Sequence, residues 1–273
     1  MPDPVTFAAR GNEQMSAIAD VLERARRPLR DFASVLDFGC GCGRLTRWFP
    51  QWLRADARMH GCDADAEAIA WCAGNLPFAA FAPNDPLPPL PYGAGAFDLV
   101  LAVSVFTHIN EPAGLLWMRE LRRVLQPDGV AVVSVRGDGF RDALSAQESA
   151  ALDAAGILFV ESPFWDGQFP PWYNTTHHTR AYIEAAFGQQ FDVLAYLPQA
   201  VGLQDAIVVV SRPDTSPAQP NPDDAALRAR WTAEYTATME RKIGFLNAEN
   251  RALRLELEKA ASYARDLERR LTP

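Results

Sequence analysis

The chain has 273 residues, 48% of them hydrophobic and 22% charged, a globular composition that excludes wholesale disorder. Twenty-six basic against 34 acidic residues leave a net charge of −8, which argues against a broad phosphate-neutralising surface, so no nucleic-acid partner is expected. No run approaches about 18 apolar residues, so no membrane span is expected. Met1 to Arg10 lacks the basic start and apolar core of a secretory signal. The four cysteines crowd at 40, 42, 62 and 72, which is no disulfide framework, and a cytoplasmic chain is the simplest expectation.

Glu13 to Arg27 has the apolar spacing of an amphipathic helix. Ser34 to Phe38 reads as a short buried strand ending in a glycine loop, and Arg44 to Leu53 as a helix. Met59 to Asp63 is a second strand and Ala64 to Leu76 a helix. Phe97 to Val103 is too continuously apolar for a half-exposed strand and belongs in the centre of a sheet. Pro112 to Leu125 is helical and stops at the turn signal Gln126-Pro127-Asp128-Gly129. Val130 to Val135, Phe191 to Leu197 and Ala206 to Ser211 are further strands. Strands alternating with helices predict an α/β fold with a doubly wound, mostly parallel sheet.

Composition divides the chain further. Residues 1–33 are expected to pack as a helical segment on a core domain of residues 34–211. Residues 212–223 hold four prolines and read as a linker. Residues 224–273 have helix composition without proline until the last position. Within them, positions 239, 243, 246, 250, 253, 257, 260, 264, 267 and 271 alternate steps of four and three, the spacing of a coiled-coil seam. Ile243, Asn250, Leu257, Ala264 and Leu271 take position a, and Leu246, Leu253, Ala260 and Leu267 position d. A single Asn at a specifies register and two strands, so a parallel homodimer through residues 239–271 is expected. The other readings are a helix folded back on its own domain or paired with another protein.

The strongest motif is Val35-Leu36-Asp37-Phe38-Gly39-Cys40-Gly41-Cys42-Gly43-Arg44, set between a strand and the next helix. Gly39, Gly41 and Gly43 follow a Gly-x-Gly-x-Gly spacing, and Arg44 stands where a dinucleotide enzyme has its third glycine. Asp37 would repel a pyrophosphate and attract a ligand carrying ammonium and sulfonium charge. Asp63, 24 residues after Gly39 at the end of the second strand, can accept both hydroxyls of a ribose. Asp65 is better placed to cap the following helix. The polar pair Asn84-Asp85 either meets an adenine edge or serves a turn before the proline-rich stretch. Cys40 and Cys42 form a C-x-C pattern, but small-residue packing is the simpler account and no metal is expected.

These stretches resemble the class I S-adenosylmethionine-dependent methyltransferases over about residues 34–135. Gly95-Ala96-Phe97-Asp98-Leu99-Val100 matches as well. So does Leu121 to Gly129, in which Asp128 stands where the family has the first glycine of its Pro-Gly-Gly turn. The resemblance implies a seven-stranded Rossmann-like sheet, with S-adenosyl-L-methionine as cofactor. It puts Asp37, Gly39 and Gly41 at the methionine part, Asp63 at the ribose, and Asn84 or Asp85 at the adenine. Gly43 and Ser104 fall in the same site. Trp172 to Ala185 and Asp205 to Val210 look like the small-molecule and sugar methyltransferases of bacterial polysaccharide and natural-product pathways. A small-molecule or glycan acceptor is therefore expected.

Methyl transfer needs an acceptor held in line and often a base. His108, in Ser104 to His108 after the fourth strand, is one candidate; its bland alternative is to cap the next helix. His177 and His178, read as part of an inserted loop, are the others, unless Thr179 beside them merely caps a helix expected over Arg180 to Phe187. The aromatic, proline-rich segment from Ser162 to Tyr173 suits a lid on the acceptor or mere packing. Arg136, ending a strand, either greets an anionic acceptor or stays a solvated charge. The competing functions are an NAD-dependent oxidoreductase and a non-catalytic scaffold acting through its coiled coil.

Overall fold

The structure, a computed structural model, describes residues 4–161, 169–170, 172–212 and 223–271, the side chains of 4, 255 and 260 onward excepted. Its helices are α1 (Pro4–Arg24), α2 (Phe49–Trp52), α3 (Ala66–Asn75), α4 (Glu111–Val124), α5 (Ala146–Ala155), α6 (Arg180–Gly188) and α7 (Asp223–Leu271). Its strands are β1 (Ser34–Phe38), β2 (Arg58–Asp63), β3 (Ala80–Pro83), β4 (Phe97–Ala102), β5 (Leu125–Val135), β6 (Ile157–Val160), β7 (Thr175–His178), β8 (Phe191–Val201) and β9 (Gln204–Ser211). Seven strands form one sheet in the order β3-β2-β1-β4-β5-β9-β8. β1 to β5 pair in parallel, and β9 runs antiparallel to both β5 and β8. The chain reverses direction across the sheet between β1 and β4, where open α/β sheets bind their ligands.

The apolar runs explain the order. Leu99, Val100, Leu101, Val132, Val133, Ile207 and Val208 are fully buried, so β4, β5 and β9 are the sheet's covered centre. Met15, Ile18, Val21 and Leu22 of α1 join Val35, Leu99 and Val132 in one apolar cluster. Helix α1 starts at Pro4, nine positions before the periodicity at Glu13 suggests. Its extension packs closely, for a Cβ on Gly11 would collide with the Arg44 carbonyl. No continuous helix runs from Arg44 to Leu53. Turns and a 3-10 segment at Thr46–Trp48 precede the single turn of α2. Pro50 has no N–H to continue an α-helix through this stretch.

Several local signals act as read. Asp65 accepts from the Glu67 and Ala68 amides and caps α3, and Thr179 accepts from the Tyr182 amide and caps α6. Asp128 sits at φ +60°, a left-handed turn conformation that Asp tolerates in place of glycine. A second, two-stranded sheet of β6 and β7 is an addition that no periodicity announced.

The chain divides into two compact units, Met1–Arg228 and Ala229–Pro273. The proline-rich segment 213–222 lies outside the described residues. Within the first unit, Asp224 of α7 pairs with Arg119, and Arg228 Nη2 donates to the Pro88 carbonyl at 2.7 Å. In the second unit Ile243, Leu246, Leu253 and Leu257 of α7 are exposed. The seam positions Ala260, Ala264, Leu267 and Leu271 lie outside the described side chains. Among the described residues no helix is long and apolar enough to cross a membrane.

Candidate active site

A cavity of about 580 Å³ opens where β1, β2, β3 and β4 end, a size that suits a cofactor and a small acceptor. The loop after β1 forms its floor. Gly39 and Gly41 adopt φ +77° and +52°, a region open to glycine at no steric cost. A Cβ on Gly39 would collide with Val105 Cγ2, whereas one on Gly41 would meet nothing within 4 Å. The Gly39 and Cys40 amides donate to the Cys62 carbonyl at 2.8 and 3.0 Å, which ties the loop to β2.

Asp63 closes this arrangement. Its Oδ2 accepts from the Gly41 amide at 2.7 Å and its Oδ1 from the Asp65 amide at 2.9 Å. Each carboxylate oxygen keeps a second lone pair for a hydroxyl donor. Burial holds its pKa above the usual carboxylate value. Asn84 and Asp85 line the cavity beyond β3. Asn84 Nδ2 donates to the Asp85 carbonyl, while Asn84 Oδ1 is buried without a hydrogen-bond partner. An unpaired buried acceptor in a cavity calls for a donor from a ligand. An adenine amino group is such a donor, and the two hydroxyls of a ribose suit Asp63. The residues present therefore fit S-adenosylmethionine.

Two of the residues expected at the cofactor lie elsewhere. Asp37 does not line the cavity. It is buried beneath the loop, where Thr46 Oγ1 donates to its Oδ2 at 2.6 Å, and burial pushes its pKa up to about 6. Gly43 is also off the cavity wall, and its φ of +72° serves the turn against Leu76. Ser104 does line the cavity, at φ +62°. Its amide donates to Ser134 Oγ at 2.7 Å, and Gln204 Nε2 donates to its hydroxyl at 2.9 Å.

The three histidines separate. His108 lines the cavity and stacks on Tyr173, with centroids 4.0 Å apart. Tyr173 stacks in turn on Phe169 at 4.4 Å. Asn110, not His108, caps α4. His108 Nδ1 lies 2.6 Å from the Asn174 carbonyl, which can only accept, so Nδ1 carries the proton and Nε2 is the basic nitrogen. Burial lowers the His108 pKa to about 4. His177 and His178 are not loop residues and do not reach the cavity. They are buried on β7, opposite Leu158 and Ile157 of β6, and burial lowers their pKa values to about 4 and about 3. Thr-Thr-His-His carries little apolar strand signal, and the pairing with β6 makes it a strand.

Of the expected aromatic lid, Phe169, Pro170, Trp172 and Tyr173 line the cavity, while Phe164 and Trp165 lie outside the described residues. Phe7 and Arg44 are among the lining residues not foreseen as site residues. Phe7 arrives with the unpredicted start of α1, and Arg44 is half-buried with its pKa lowered by burial. The acids Asp63, Asp65, Glu67 and Asp85 all sit on the β2–β3 side.

Residues 35–129 match the family model of a methyltransferase domain. Trans-aconitate 2-methyltransferase of Azoarcus sp. (strain BH72) is 36% identical over 129 residues, which are 45% of this chain and 46% of that protein. The chain thus aligns with less than half the length of this curated relative. A solved S-adenosylmethionine-dependent methyltransferase from Methanosarcina mazei superposes with a TM-score of 0.51 at 17% identity, covering 66% of this chain and 92% of its own. A second solved structure is the 1,6-didemethyltoxoflavin-N1-methyltransferase of Burkholderia thailandensis with bound 1,6-didemethyltoxoflavin and S-adenosylhomocysteine. It superposes with a TM-score of 0.52 at 16% identity, covering 77% of this chain and 81% of its own. At such identities the structural likeness is one of fold.

Proposed function

We propose that the chain is an S-adenosylmethionine-dependent methyltransferase that O-methylates a sugar or other small metabolite in the cytoplasm, as in polysaccharide biosynthesis. One observation carries this reading. Asn84, whose Oδ1 is a buried acceptor without a hydrogen-bond partner among the described residues, lines the same cavity as Gly39, Gly41 and Asp63. A match to a methyltransferase domain over these residues supports it.

The cofactor, when bound, supplies a methyl group already activated by its sulfonium. The protein's own residues bind and orient. Asp63 accepts the ribose hydroxyls, Asn84 the adenine amino group, and Gly39 and Gly41 let the backbone approach the ligand. Phe169, Trp172 and Tyr173 offer flat apolar faces that suit a sugar or an aromatic acceptor. His108 lines the cavity and stays neutral at pH 7, the protonation state that a general base for an acceptor hydroxyl needs.

Calorimetric titration with S-adenosylhomocysteine and with NAD tests the assignment. Micromolar binding of the first, with none of the second, is expected. The reverse result would make the chain a dinucleotide enzyme, and binding of neither would favour a non-catalytic scaffold.

The same reading includes a parallel homodimer through residues 239–271. The exposed Ile243, Leu246, Leu253 and Leu257 keep heptad spacing around Asn250, which supports a second copy as their cover. Sedimentation of the full chain at tens of micromolar should give a dimer, and Leu253→Asp should convert it to a monomer. A monomeric wild type would refute the dimer.

A further inference from the structure

We propose that Arg136 forms an anion subsite beside the cavity, so that the methyl acceptor carries a carboxylate or a phosphate. The proposal rests on the methyltransferase reading and specifies its substrate class. Arg136 directly follows β5, at the edge of the sheet where open α/β folds bind their ligands.

Its surroundings differ from those of the ion-paired arginines. Arg119, Arg123, Arg141 and Arg180 each pair with a carboxylate. No carboxylate pairs with Arg136 among the described residues, and its Nε is buried without a hydrogen-bond partner. The side chain is half-buried, and burial lowers its pKa. The guanidinium carbon lies 4.7 Å from the centre of the Phe140 ring, a contact that holds one face. The N–H groups of a guanidinium point outward in its plane, as a fork that matches two oxygens of a carboxylate or phosphate. A half-buried cation without a counter-ion is left partly desolvated and uncompensated, and a bound anion offsets that cost.

The position fits the acceptor rather than the cofactor. Arg136 acts electrostatically on His108 and Tyr173, both of which line the cavity. The acids that fit the cofactor stand on the β2–β3 side, away from β5. Both histidines that feel its charge, His108 and His177, are neutral at pH 7 and add no positive charge of their own.

The test uses the full chain, with and without saturating S-adenosylhomocysteine. Benzoate, succinate and inorganic phosphate are titrated against methyl glucoside as a neutral control, with binding read by calorimetry and thermal shift. At least one of the anions should bind tenfold or more tightly than methyl glucoside. Arg136→Gln should weaken that anion at least tenfold and leave S-adenosylhomocysteine within threefold, and Arg136→Lys should recover part of the loss. The better ligand of the three tells carboxylate from phosphate. Anions no better than methyl glucoside, or bound equally by wild type and Arg136→Gln, would overturn the subsite. If Arg136→Gln fails to fold, the wild-type preference and Arg136→Lys decide. Should S-adenosylhomocysteine not bind while the Arg136-dependent anion binding persists, the cofactor reading fails and the subsite stands.

Discussion

Replacing Asp63 with alanine is expected to weaken S-adenosylhomocysteine binding by about a hundredfold or more. The carboxylate has two tasks. It is the proposed acceptor for both ribose hydroxyls, and hydrogen bonds to a charged group contribute about 1.5–3 kcal/mol each. It also fixes the Gly41 amide at 2.7 Å, so its loss frees the loop that must meet the ligand. Asp63→Asn keeps one acceptor oxygen and should lose less. Calorimetry reads both variants, and circular dichroism checks that they fold. Because burial already opposes the Asp63 charge, folding should suffer less than binding. Binding by Asp63→Ala within threefold of wild type would remove Asp63 from the site.

Acidification should destabilise the protein steeply below pH 6.5. Burial lowers the pKa values of His108, His177 and His178 to about 4, 4 and 3. In the unfolded chain each returns to about 6.5. Between these values the unfolded state binds protons that the folded state refuses, so stability present above pH 6.5 is lost as pH falls. Each histidine contributes a slope of up to about 1.4 kcal/mol per pH unit. Asp37 works the other way. Its pKa of about 6 lies above the ordinary 3.8, so the folded state holds a proton there that the unfolded state has released. Asp63, also raised by burial, adds in the same direction. The three histidines less Asp37 give a net slope of about 2.7 kcal/mol per pH unit between pH 6 and 4.5, and His60, its pKa also lowered by burial, adds to it while Asp63 subtracts. Urea unfolding at pH 7, 6 and 5 measures it. His178→Leu removes one buried group whose Nδ1 has no hydrogen-bond partner, and should flatten the slope by about one proton's worth. A stability that does not change between pH 7 and 5 would contradict neutral, buried histidines.

Features set by neighbours along the chain are legible in the order of residues. Phe97 to Val103 reads as a central strand because its side chains are apolar on both faces, and β4 holds the middle of the sheet. Asp65 and Thr179 read as caps because a cap needs only a short side chain within three residues of an open amide. The turn at Asp128 is legible because left-handed backbone admits few residue types. The glycine loop and Asp63 are legible because a fixed number of residues joins the ends of neighbouring parallel strands, which brings the Gly41 amide to the Asp63 carboxylate.

Which groups share a cavity and which are shut away from water depends on how distant segments pack. His177 and His178 face the interior because β7 pairs with β6, a partner about twenty residues away that carries no mark of the pairing. Asp37 turns from ligand to buried support because Thr46 reaches it beneath the loop. Phe7 enters the wall because Gly11 lets α1 lie against the Arg44 backbone. Arg136 reads in sequence as either a ligand or a solvated charge, and the fold buries its Nε without a counter-ion. Propensity and spacing act over a few residues, whereas desolvation and convergence depend on segments far apart in the chain, so only the packed fold fixes them.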